Sequence, residues 1–172
     1  MYLVFYGNAQ AAAPDTQAIE YYNKQLNHYF ITTTSVEARV IDHGGAGPGW
    51  VRTGRTFRTY PTAQAGTSPV CRFYLPLLFG DSHFYGRGTA ECEGTHTKFP
   101  GFSYESPAVM YMVLPTLGVC PAGTIPVYRL FDVRPDANHR YLVDRALRDL
   151  MVAQGWVAEG DGPDFVVMCA PP

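Results

Sequence analysis

Asn27-His28-Tyr29-Phe30, Ser82-His83-Phe84-Tyr85 and Asn138-His139-Arg140-Tyr141 are one short word written three times, at intervals of 55 and 56 residues. A second mark follows each word: Gly49-Trp50, Gly101-Phe102 and Gly155-Trp156, spaced by 52 and 54. Each word is also preceded by an apolar, aromatic run, at 19–22, 70–74 and 127–131. Marks in fixed order, three times over, imply a repeat architecture. The units span about 17–61, 69–115 and 126–171, with proline-bounded connectors at 61–69 and 115–126. Residues 1–16 read as an N-terminal arm or the remnant of a signal peptide, because Leu3-Val4-Phe5-Tyr6 is followed by the A-x-A pattern of Ala9-Gln10-Ala11.

The third unit shows the local plan most clearly. Residues 127–131 and 139–143 read as two strands about the turn Pro135-Asp136-Ala137-Asn138. Asp144 suits a helix N-cap, Leu147, Leu150 and Met151 keep helical spacing, and Gly155 suits the C′ position. Strands at 156–159 and 165–169 close the unit about Gly160-Asp161-Gly162-Pro163. In the first unit Thr34-x-x-Glu37 has the capping-box pattern, and strands are expected at 50–53 and 56–60. In the second the helix is expected to shrink to 89–93. A strand-strand-helix-strand-strand unit of this length cannot bury both faces alone, so three should close on a common axis. The expected fold is mainly β with short helices, a single pseudo-threefold β-trefoil-like domain over 17–172; a small propeller-like closure is the alternative.

The words Val127-Tyr128-Arg129-Leu130-Phe131, Asn138-His139 and Gly155-Trp156-Val157-Ala158-Glu159-Gly160 resemble the DUF5648 repeat family, in three copies over about 17–171. The first copy departs at Glu20 and Thr53, where the pattern has Arg and Glu, and the second at Ser82 and Phe102. The resemblance implies an accessory module of secreted bacterial hydrolases and surface proteins. It therefore implies binding, in an extracellular or periplasmic location.

Composition narrows the function. Charged residues make up 16%, and the net charge of −2 argues against a nucleic-acid partner held through phosphates. No run approaches the ~20 apolar residues of a membrane span. Cys71, Cys92, Cys120 and Cys169 contain no C-x-x-C, and their places in the second and third units favour the pairs Cys71–Cys92 and Cys120–Cys169. Gly80-Asp81-Ser82 resembles an esterase nucleophile word, but Ser82 holds the slot of Asn27 and Asn138. With no P-loop, H-E-x-x-H or G-x-S-x-G in the chain, no enzymatic activity is expected.

An imidazole and an amide can bond vicinal hydroxyls while a ring stacks on a sugar face. The expected ligand-binding residues are accordingly Asn27, His28, Tyr29, His83, Tyr85, Asn138, His139 and Tyr141. Trp50, Phe102 and Trp156 are expected in a shared core, and Arg72 with Glu105 and Arg129 with Glu159 as structural pairs. No metal or cofactor is expected. The expected partner is a glycan or cell-surface polymer. The alternative is a structural or adhesive surface or fibre subunit that self-associates or joins a larger secreted protein.

Overall fold

The computed structural model describes residues 16–172, so the expected arm at 1–16 lies almost wholly outside the described residues. The chain runs β1 (Thr16–Asn23), β2 (His28–Thr32), α1 (Ser35–Asp42) and β3 (Trp50–Thr59), then β4 (Thr67–Leu75), β5 (Ser82–Arg87), α2 (Gly88–Lys98) and β6 (Ser103–Val113). It ends with β7 (Ile125–Phe131), β8 (His139–Leu142), α3 (Arg145–Ala153), β9 (Val157–Glu159) and β10 (Val166–Ala170). All pairings are antiparallel, in a three-stranded sheet β2-β1-β3 and a seven-stranded sheet β5-β4-β6-β10-β7-β8 in which β9 also pairs with β7. Backbone bonds between Tyr60 and Tyr111 join the two sheets.

The first strand of each hairpin is central, and the strand after the helix runs along its other edge. The sheets remain open, with no closed barrel among the described residues, which departs from the barrel a trefoil would bring. The two closing strands expected in the first unit are one strand, β3, and Gly54 at φ +83° sits where its register with β1 shifts. In the third unit they stay separate as β9 and β10, because the loop between them returns through a bridge from Asp161 to Val166.

Helix starts follow their caps. Thr34 Oγ1 accepts from the Glu37 backbone N–H, and Asp144 Oδ1 from that of Leu147. The Glu37 carboxylate does not close the capping box; it bonds Arg72 of β4. The second helix is full length, Gly88–Lys98, rather than shrunk to 89–93. A disulfide from Cys71 to Cys92 pins it to β4, which compensates for its weak apolar face.

The Cys120–Cys169 disulfide ties the connector after β6 to β10. The loops span 21 and 49 residues. Replacing either pair by alanine should cost about 3–4 kcal/mol by loop-closure entropy, read as a lower urea midpoint for each double variant.

Candidate functional site

Three second strands, β2, β5 and β8, meet at the middle of the molecule. Asn138 is fully buried there; its Nδ2 donates to the Tyr29 carbonyl at 3.0 Å and its Oδ1 accepts from the Tyr29 N–H at 2.7 Å. The Tyr141 hydroxyl donates to the Tyr85 carbonyl and accepts the Tyr85 N–H, both at 2.9 Å, and the Tyr85 hydroxyl donates to the Ile31 carbonyl. Burial pushes both phenols above the ordinary tyrosine range, so they stay protonated donors. His28, 1% exposed, donates from Nε2 to the Asp136 carbonyl at 3.0 Å. Of the first word only Asn27 is exposed, at φ +57° in the hairpin turn, with Oδ1 accepting from Tyr22. Asn138, Tyr85, Tyr141 and His28 therefore join the hairpins to one another, each buried and bonded to a neighbouring hairpin or loop. Ser82 is buried as well, its hydroxyl donating to the Ala137 carbonyl.

His83 and His139 are placed differently. Each lines a cleft between one hairpin and the helix of the preceding unit. The first cleft, about 560 Å³, lies between α1 and the β4–β5 hairpin. Arg72 spans it, bonding Glu37 through Nη1 at 2.9 Å and pairing its charge with Glu105, whose carboxylate lies 2.7 Å from Nε. His83 Nε2 lies 3.5 Å from Glu105, and its ring meets Phe30 edge-on at 4.8 Å. The bond from His83 holds the Glu105 carboxyl below the usual carboxylate range, more than burial raises it. Trp50 forms the far wall, half-buried and edge-to-face with Phe30.

One residue the sequence reading missed fixes that wall. Asn23, 2% exposed, accepts at Oδ1 from the Gln25 and Leu26 N–H groups and donates through Nδ2 to the Pro48 carbonyl. A Cβ on Gly49, at φ +94°, would stand 2.7 Å from Asn23 Oδ1, so glycine is needed before Trp50. An Asx-type turn after a strand was the available signal.

The second cleft, about 580 Å³, lies between α2 and the β7–β8 hairpin. Arg129, 7% exposed at its side chain, bonds Glu91 of α2 with Nη2 at 2.8 Å and Glu159 with Nε at 2.8 Å. Burial alone would raise the Glu91 carboxyl, but Arg129 and the Arg87 N–H outweigh it and hold it low. His139 sits between Phe84 and Phe131, its Nε2 3.5 Å from Glu159. Phe102 takes the place of Trp50 in the wall. So Glu37, Trp50, Arg72, His83 and Glu105 of the first cleft match Glu91, Phe102, Arg129, His139 and Glu159 of the second. Trp50 and Phe102 are cleft walls rather than fully buried core.

The third junction is built otherwise. Trp156 meets Tyr29 edge-on at 6.0 Å, and the Arg140 guanidinium lies 4.0 Å over the Tyr29 ring. Arg140 forms a buried pair with Glu20, at 2.8 and 2.9 Å, and Thr53 donates to the same carboxylate. Strand register puts Tyr21, not Glu20, in the slot of Arg72 and Arg129: Tyr21 faces Phe30 as Arg72 faces Tyr85 and Arg129 faces Tyr141. Nearby, His28, Asp132 and Asp136 bring ligand atoms within 4.8 Å of one another. Arg134 Nε lies 3.1 Å from a carboxylate oxygen of each aspartate, so a guanidinium already supplies the positive charge at that cluster.

Residues 6–114 and 113–163 match the family described as a domain of unknown function, DUF5648. The chain belongs to that family. No curated protein and no solved structure matches it.

Burial, reinforced by the Arg129 charge, pushes the His139 imidazole down to about 3. Below the ordinary His value of about 6.5 the unfolded chain takes up a proton that the folded chain refuses. Stability should therefore be full above about pH 6.5 and fall toward about pH 3, by up to about 1.4 kcal/mol per pH unit. His139→Phe should flatten that slope between pH 6 and 4 in denaturant titrations. Tyr141→Phe leaves the buried Tyr85 N–H unpaired and its carbonyl with only the Arg129 contact, and should cost about 1–3 kcal/mol, measured by the same titration at neutral pH.

Proposed function

We propose that this protein is a non-catalytic secreted binding module that recognises carbohydrate or a cell-surface polymer, with the first cleft as its principal site. The observation that carries the reading is Trp50: a half-buried indole walling a cleft whose other side presents Arg72, His83, Glu37 and Glu105. An aromatic wall opposite converging charged donors and acceptors suits a pyranose, whose C–H face stacks while its hydroxyls bond. The same pairing argues against hydrolysis. A glycosidase acid needs a raised carboxyl, whereas Glu105 is held low and Glu37 takes two bonds from Arg72. Two disulfides among the described residues accord with an oxidising compartment.

We further infer that the three hairpin-helix-strand units are copies of one unit about a pseudo-threefold axis. The shared strand order and the matched walls of the two clefts support this. In this reading the ligand contacts move from the Asn-His-aromatic words as a whole to His83 and its neighbours, and the other words hold the hairpins together.

Pull-down of the oxidised protein on insoluble polysaccharides and a glycan array should show retention by wild type. Trp50→Ala and His83→Ala should each weaken it about tenfold with melting temperature preserved. Retention unchanged in both variants, or none in wild type, would remove the glycan reading.

A further inference from the structure

The second cleft matches the first in plan but not in chemistry. Phe84, Phe99, Phe102, Phe131 and Leu75 line it, with Phe99 stacked on Phe102 at 4.8 Å and 9°. Its arginine and two glutamates are already paired with one another. Arg129 gives Nε to Glu159, Nη1 and Nη2 to Glu91, and Nη1 also to the Tyr85 carbonyl. His139 carries no charge near neutral pH and lies between two phenyl rings, so it adds to the apolar wall. The cation still open to a ligand is Lys98, at the last turn of α2, where among the described residues its one recorded contact is the Phe99 ring at 5.1 Å. A volume near 580 Å³ falls in the range of about 300–1,000 Å³ usual for small-ligand sites.

We propose that the second cleft binds a small planar aryl carboxylate, its ring among Phe84, Phe99, Phe102 and Phe131 and its carboxylate on the Lys98 ammonium. Edge and face contacts to several phenyl rings favour a flat aromatic over a hydroxyl-rich sugar, whose hydroxyls would lose water against four rings. The single unspent ammonium at the rim favours an anionic group at one end of that ring. This site does not depend on the glycan reading of the first cleft.

Gly94 supplies a clean test. It faces the cleft from α2, an added Cβ there meets nothing within 4 Å, and no left-handed backbone conformation is required. Gly94→Phe should fill the cavity while Gly94→Ala leaves it open and folded. The probe is p-coumarate, titrated calorimetrically into the intact oxidised chain, with its methyl ester in parallel. Wild type and Gly94→Ala should bind the acid, Gly94→Phe should lose binding with melting temperature kept, and Lys98→Glu should weaken the acid about tenfold while leaving the ester unchanged. Trp50→Ala should bind p-coumarate as wild type does. No binding by wild type, equal binding by Gly94→Phe, equal affinity for acid and ester, or loss in Trp50→Ala would each overturn the proposal. Failure here with polysaccharide retention intact would leave the first cleft standing, and the reverse result would leave the second.

Discussion

The architecture depends on side chains that bond to the backbones of neighbouring hairpins. β2, β5 and β8 meet without a shared ladder, so their inward N–H and C=O groups have no strand to pair with. Asn138 satisfies both backbone groups of Tyr29, Tyr141 both of Tyr85, and the Tyr85 hydroxyl the carbonyl of Ile31. Buried backbone groups left unpaired each cost about 1–3 kcal/mol. Three residues thus let three hairpins pack at their centre with those groups satisfied.

Each cleft opens between a hairpin and the helix before it. Glu37 is on α1 and Glu91 on α2, yet each completes the ion pairs of an arginine in the following hairpin, Arg72 and Arg129. The charged lining is therefore neutralised in place before any ligand arrives, and what remains open differs between the sites. In the first it is an indole facing hydrogen-bonding groups; in the second it is phenyl rings and one ammonium. One plan thus carries two different linings.

The third junction shows how the same plan can be filled from within. Arg140 stands one residue after His139, as Tyr29 does after His28, but it turns to the buried Glu20 carboxylate and covers the Tyr29 ring. A buried ion pair of this kind contributes little net stability beyond what its apolar substitutes would. Removing one partner would strand the other, so Glu20 and Arg140 must be kept or lost together.

Much of this was legible in the residues alone. The word at 27–30, 82–85 and 138–141 announces a hairpin strand, Thr34 and Asp144 announce helix starts, and the cysteine positions announce both disulfides. Caps, turns and strand runs are written between neighbouring residues, and local hydrogen bonding enforces them. The length of α2, the fusion of two closing strands into β3, and the open sheets were not legible. They depend on a disulfide, on a bulge and on strand partners far along the chain. Nor could the words reveal which histidines enter a cleft. His28 and His83 occupy the same place in the motif, but the loop at 132–137 covers one and the space beside α1 receives the other. Sequence determined the hairpin strands, the helix caps and their order; only tertiary packing, which sets residues 35 and 38 positions apart against one another as in Arg72–Glu37 and Arg129–Glu91, decided which side chains hold the fold and which line a cleft.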